Sequence, residues 1–330
     1  MGQLYVGNGR GYFTDTLPDP AGLFFRNLCK YVEQRPCKRS LVSMPTSTIQ
    51  LARIRLSYRE WPGQKGPVIC LPSLTGHKGA FNSLAEALAP AFHLVALDLR
   101  GRGDSDKPAE GYGYAYYAGD ILQFANRCGF DSFVILGHSF GASVAAYLAS
   151  IRPERVRAAI LLDGGADPKQ EVLEAMRPLV RHLNTVHPSM EAYLERMRRL
   201  PFYQPWSMAL ERYLREDVEP LADGQVRPKA SGQAIEAELN IGAYYSMCLH
   251  FPALSCPVLF IRPRQGLLGE QAHIFTEREA SAVVAWISNC WRVDLADVNH
   301  YTMLLHDDPP VIPPIRAFLG EVLRDQAGLK

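Results

Sequence analysis

Residues 133–141 read Phe133-Val134-Ile135-Leu136-Gly137-His138-Ser139-Phe140-Gly141, an apolar run that ends in a Gly-x-Ser-x-Gly turn. A short run that is apolar on both faces suits a strand buried between two layers. The stretch after it, Gly141 to Ile151, has the small and apolar composition of a packed helix. A strand that passes so abruptly into a helix needs a tight turn, and a glycine on either side of the serine leaves room for one. Such a turn pushes the serine oxygen out of the sheet at a helix N-terminus, where backbone N–H groups stabilise negative charge. Ser139 is therefore the candidate nucleophile.

Working outward, further apolar runs of strand length stand at Val68 to Leu71, Leu94 to Leu99, Ala158 to Leu162, Val258 to Ile261 and Trp291 to Leu295. Strict alternation from Ala52 to Tyr58 predicts a half-buried strand. Helical patterns at Phe81 to Ala89, Ala118 to Cys128, Gly141 to Ile151 and Pro310 to Leu323 fill the crossovers that parallel strands require. The predicted fold class is α/β, a mostly parallel, doubly wound sheet. Between the strands near Leu162 and Val258 the alternation stops and amphipathic patterns such as Met190, Tyr193, Leu194, Met197 and Leu200 take over, the mark of an inserted helical cap. The expected division is an N-terminal extension over 1–47, a core over 48–167 and 252–330, and a cap over 168–251. Within the extension, Ala21 to Glu33 suits a short helix. Gly7-Asn8-Gly9-Arg10-Gly11 neither follows a strand nor opens a helix, which makes it a poor dinucleotide site.

Composition removes several classes of function. Thirty-five basic and 34 acidic side chains leave a net charge of +1 in 330 residues, so no overall field favours nucleic acid. The basic run Arg196-Met197-Arg198-Arg199 fits a solvated helix face. Met1 to Thr14 lacks the continuous apolar stretch of a secretory signal, and no run is long enough to span a bilayer, so a cytoplasmic location is expected. Seven scattered cysteines without CxxC spacing favour neither a disulfide framework nor zinc. Glu270 and His273 have helical i,i+3 spacing but no third ligand, so no metal is expected.

A serine hydroxyl needs a base. Among nine histidines, His300 follows the last strand-like run and precedes the C-terminal helix; His306 is the runner-up, better suited to a surface or capping role. With these residues in view the chain resembles the α/β-hydrolase family over about residues 50 to 325. The stretches that carry the likeness are the Gly137–Gly141 turn, Leu71-Pro72-Ser73-Leu74-Thr75-Gly76, Ala96-Leu97-Asp98-Leu99-Arg100-Gly101-Arg102-Gly103-Asp104-Ser105-Asp106, and Asn299-His300-Tyr301. The resemblance implies an oxyanion hole made by the backbone N–H groups of Leu74 and Phe140. Many members have His-Gly before the first of these, where this chain has Pro72-Ser73. His77, on the same loop, is weighed as a substrate contact against a plain surface histidine. Asp98, Arg100, Asp104 and Asp106 are expected to fix the turn rather than react.

The third triad member departs from the commonest pattern. After Val258 to Ile261 most relatives place an aspartate, whereas this chain reads Arg262-Pro263-Arg264-Gln265-Gly266-Leu267-Leu268-Gly269 before its first carboxylate, Glu270. Asp163 instead ends the strand Ala158 to Leu162, at the carboxyl edge of the sheet where sites collect. That position resembles the arrangement of polyketide and nonribosomal-peptide thioesterases and of capped hydrolases such as 2-(acetamidomethylene)succinate hydrolase. Glu270 and Asp297 remain as alternatives, and Asp163 could instead only tie down the turn Gly164-Gly165. The expectation is a cofactor-free serine hydrolase that cleaves an ester, thioester or lactone of a small-molecule substrate through an acyl-enzyme on Ser139. Cap aromatics, among them Tyr193, Trp206 and Tyr244, suggest a lipophilic or aromatic substrate. Carbon–carbon bond hydrolysis, a cofactor-free dioxygenase or lyase reaction, and a non-catalytic receptor are the alternatives that the same residues permit.

Overall fold

Each buried strand serves two cores at once, because side chains alternate across the sheet. In Lys65–Leu71, Val68 and Cys70 point into one layer, and Ile69 and Leu71 into the other. This computed structural model describes residues 3–6, 44–165, 169–242, 245–267 and 272–324. Within them the strands are β1 (Gln3–Val6), β2 (Thr46–Gln50), β3 (Arg55–Trp61), β4 (Lys65–Leu71), β5 (Phe92–Leu97), β6 (Phe133–His138), β7 (Val156–Leu162), β8 (Val218–Pro220), β9 (Val226–Pro228), β10 (Val258–Pro263) and β11 (Cys290–Leu295). The helices are α1 (Asn82–Leu88), α2 (Tyr114–Arg127), α3 (Phe140–Ile151), α4 (Gln170–His182), α5 (Met190–Arg198), α6 (Met208–Glu216), α7 (Gly232–Gly242), α8 (Glu277–Trp286) and α9 (Ile312–Val322).

Nine strands form the main sheet in the order β1-β11-β10-β7-β6-β4-β5-β3-β2. From β11 to β5 every neighbouring pair is parallel, while β1, β3 and β2 pair antiparallel at the two edges. Residues of α2, α3 and α8 complete one core layer. Residues of α1 and α9 complete the other, together with Tyr193, Leu194, Met197, Leu210, Tyr213 and Leu214 of α5 and α6. The doubly wound α/β expectation is met.

One strand differs from its sequence pattern. The alternation from Ala52 to Tyr58 does not belong to a single strand, because the chain reverses at residues 51–54 and the strand begins only at Arg55. The reversal joins β2 to β3 as a hairpin, with Leu51 and Ile54 buried beneath it. The period of two therefore runs across a turn. The expected boundary at 47 also falls inside β2, and Gln3–Val6 pairs with Val6↔Trp291 register on the far edge. The expected helix at Ala21 to Glu33, the glycine cluster Gly7 to Gly11, Tyr244 and Glu270 lie outside the described residues.

The charged turn after β5 is a fixed piece of backbone. Asp98 is fully buried and accepts from the Lys78 amide at 2.7 Å, from Lys78 Nζ at 2.7 Å and from the Asp104 amide at 2.9 Å. Arg100 makes a fork with Asp120 at 2.7 and 2.6 Å, the bidentate geometry that gives such pairs their direction. These contacts tie the turn to α2 and to the loop after β4, both of which border the site.

Candidate active site

Ser139 stands between β6 and α3 with φ 56° and ψ −118°, a conformation that costs on the order of 1–3 kcal/mol and persists only where the surroundings impose it. Here they do. The Ser139 amide donates to the Leu162 carbonyl of β7 at 2.8 Å. A Cβ on Gly141 would lie 2.3 Å from the Leu71 carbonyl oxygen, and one on Gly164 would lie 2.1 Å from that of Ser139. The serine turn is therefore held by close backbone packing against β4 and the end of β7. Phe140 is the first residue of α3, where an amide has no carbonyl partner inside the helix.

Asp163 and His300 meet from separate parts of the chain. Asp163 follows β7 with φ 41°, and its Oδ2 accepts from His300 Nδ1 at 2.7 Å; both side chains are buried. The loop that carries His300 is shaped by Asn299, whose Oδ1 accepts from the amides of Tyr301 and Thr302 at 2.9 and 3.0 Å. Asn299 Nδ2 donates to the Phe202 carbonyl at 3.0 Å. His138 adds a further support that sequence reading did not find. Its Nε2 donates to the His300 carbonyl at 2.9 Å, and its ring lies 4.5 Å from the His300 ring. Burial, and then the neighbouring His300, hold the His138 pKa well below the ordinary value of 6.5.

That depression has a sign that experiment reads directly. The unfolded chain protonates this histidine near pH 6.5 while the folded chain does not, so stability is full above that pH and falls as pH is lowered toward the folded value. The expected slope is about 1.4 kcal/mol per pH unit per histidine. Burial also pushes His182 down, to about 4, which adds a dependence of the same sign. Urea unfolding of His138→Gln between pH 6.5 and 5 should show a shallower pH dependence than the native chain; identical curves would refute a neutral His138.

Ser139, Asp163 and His300 line one cleft that opens to solvent. The apolar lining is Leu74, Tyr114, Phe140, Val172, Leu173, Met176, Leu239, Leu267 and Ile274. Among the described lining residues the one cation is Lys169, ion-paired with Glu279 at 2.7 Å. The expected oxyanion residues Leu74 and Phe140 are thus on the cleft wall. The amphipathic patterning of residues 168–251 signalled that these helices cover something, but not which face meets the serine.

Three expected substrate contacts lie elsewhere. His77 is neither a surface residue nor part of the cleft lining: its Nδ1 accepts from the Gly79 amide at 3.1 Å, its Nε2 meets the Tyr213 carbonyl at 3.1 Å, and its ring stacks on Tyr213 at 4.3 Å. It fastens the loop after β4 to α6. Tyr193 is buried in the core, with its hydroxyl on Asp217 at 2.9 Å. Trp206 donates to Glu211 at 3.1 Å beneath the Arg198 guanidinium. Tyr193 and Trp206 thus spend their rings and polar atoms on packing between helices rather than on the cleft lining. Of the competing acids and bases, Asp297 is exposed, and His306 Nδ1 accepts locally from the Asp308 amide.

Comparison with known proteins agrees with this architecture. A family model described as alpha/beta hydrolase fold matches residues 66–307. The chain is 28% identical over 218 residues to a 2-(acetamidomethylene)succinate hydrolase of Mesorhizobium japonicum, a match spanning 65% of this chain and 76% of that one. A crystal structure of E-2-(acetamidomethylene)succinate hydrolase superposes with a TM-score of 0.73 at 22% identity, over 84% of this chain and 99% of the other. An α/β hydrolase from Novosphingobium aromaticivorans superposes with a TM-score of 0.69 at 26% identity, over 84% and 98%. No helix among the described residues is long and apolar enough to cross a membrane.

Proposed function

The chain belongs to the α/β-hydrolase fold family and is a hydrolase, and on that premise we propose that it cleaves an ester, thioester or lactone with an apolar acyl group through an acyl-enzyme on Ser139. The observation that carries the reading is the buried contact at 2.7 Å between His300 Nδ1 and Asp163 Oδ2 at the wall of a cleft that Ser139 also lines. In this mechanism His300 takes the serine proton as Oγ attacks the carbonyl carbon. Asp163 holds the proton on Nδ1, so that Nε2 is free to accept, and stabilises the imidazolium that results. The amides of Leu74 and Phe140 stabilise the tetrahedral oxyanion. His300 then protonates the leaving group, and a water molecule activated by the same ring releases the acid.

Residues 168–251 act as the cap in this reading. Val172, Leu173 and Met176 of α4 and Leu239 of α7 form the wall that meets the acyl chain. The relative that acts on 2-(acetamidomethylene)succinate takes a substrate with carboxylates. Here Lys169 is committed to Glu279 and the rest of the described wall is mostly apolar, which favours an uncharged acyl group. A fluorophosphonate should add its mass to the peptide that holds Ser139, and a p-nitrophenyl ester series should show kcat/KM rising from acetyl to hexanoyl. Absence of the adduct, or a preference for dicarboxylate substrates, would overturn the proposal.

A further inference from the structure

One buried guanidinium touches both residues that the proposed mechanism uses to hold the oxyanion. Arg102 is fully buried; its Nε donates to the Leu74 carbonyl at 2.9 Å, and its Cζ stands 5.3 Å from the centre of the Phe140 ring. The carbonyl and N–H of a residue are fixed to rigid peptide planes that share its Cα. Gripping the Leu74 carbonyl fixes the plane on one side of its Cα, and leaves the φ and ψ of Leu74 alone to set the direction of its amide on the other side. Arg102 Nη1 also donates to the Arg100 carbonyl at 2.8 Å and to the Tyr117 hydroxyl. Tyr117 accepts from Arg102 and donates its own hydrogen bond to Glu238 Oε1, at 2.5 Å. Burial and Glu238 raise the Tyr117 pKa, so the phenol keeps that proton.

Glu238 lies on α7, one residue before Leu239 of the cleft wall, and is itself buried. It also accepts from the Gly113 amide at 3.1 Å, and the Ser231 amide just before α7 donates to the Gly101 carbonyl at 2.8 Å. The line Leu74–Arg102–Tyr117–Glu238 thus runs from the oxyanion loop to the helix that meets the acyl chain. We propose that Arg102 is the positioning residue of the oxyanion hole, and that through Tyr117 and Glu238 it couples the seating of α7 to the orientation of the Leu74 amide. The inference rests on the hydrolase reading given above.

The test uses the whole chain with a p-nitrophenyl ester and the trifluoromethyl ketone of matching acyl length. The ketone forms a bond from Ser139 Oγ to its carbonyl carbon; the carbonyl electron pair moves to oxygen, the serine proton goes to His300, and nothing leaves. It therefore reads the oxyanion hole at equilibrium. Arg102→Lys keeps a positive charge but loses the fork, and should lower kcat per titrated active site by about a hundredfold while KM changes by less than about threefold. Ketone affinity should fall in parallel with kcat. Tyr117→Phe, which removes the linking hydroxyl, should cost about tenfold in both readings, and Glu238→Gln, which keeps the acceptor and loses only its charge, should cost less.

A merely structural role would lower Tm and the number of active sites without changing kcat per site or ketone affinity, and that result overturns the proposal. If Arg102→Lys does not fold, Tyr117→Phe, one oxygen smaller, decides by the same two readings. If the native chain neither reacts with fluorophosphonate at Ser139 nor binds the ketone, the hydrolase reading itself falls and this inference with it; a native chain that passes both controls isolates the failure to Arg102.

Discussion

Ser139→Ala is expected to lower kcat/KM for the best ester by about 10⁴- to 10⁶-fold, with KM little changed. The size follows from chemistry that no other group can supply. Without Oγ the proposed covalent intermediate cannot form, and His300 can at most activate a water in place of the serine. On the proposed mechanism the residual rate comes from binding and from the oxyanion amides assigned to Leu74 and Phe140, which the substitution leaves in place. Alanine keeps the Cβ, so the strained backbone at φ 56° is the same in both proteins and Tm should stay within a few degrees. Steady-state kinetics together with thermal unfolding separates loss of chemistry from loss of fold. A variant that retains native turnover would remove the acyl-enzyme from the mechanism.

The strand-turn-helix around Ser139 was legible because three kinds of signal agree there: a run buried on both faces, glycines where backbones meet, and a helix pattern immediately after. The structure gives the glycines a physical cause at Gly141, where any side chain would strike the Leu71 carbonyl. Asp163 was legible as a strand-end carboxylate, since β7 had a clear apolar run and no acid followed β10 closely. The β2–β3 hairpin was not, because Ala52, Arg53 and Ile54 alternate in polarity in step with the strand that follows them. The cleft wall was legible only as an amphipathic cap: period shows that α4 and α7 bury a face, while tertiary packing selects Leu173 and Leu239, rather than Tyr193 or Trp206, to line the cleft with the serine. Arg102 and His138 were hidden for a related reason. Each acts by holding another residue's carbonyl, at the Leu74 and His300 backbones, and a contact with backbone leaves no pattern in the partner's side chain.

Asp163→Asn should cost about 10³- to 10⁴-fold in kcat at neutral pH, while Glu270→Gln leaves turnover unchanged. The asparagine has the shape of the aspartate, but its amide can donate to His300 Nδ1. The imidazole proton then sits on Nε2, the atom that must accept from serine, and the base is lost without any gap in packing. The competing view, in which Asp163 only ties down the Gly164-Gly165 turn, demands that its oxygens be spent on nearby amides. They are not: Oδ2 meets His300 at 2.7 Å, and Oδ1 is buried with no hydrogen-bond partner among the described residues. A buried carboxylate left half unsatisfied is costly, and the proposed task of holding an imidazolium that forms only during turnover would account for that cost. Equal Tm for the two variants, with the rate falling only in Asp163→Asn, is the expected outcome. A full rate in Asp163→Asn and a collapse in Glu270→Gln would transfer the acid's role to the loop after β10.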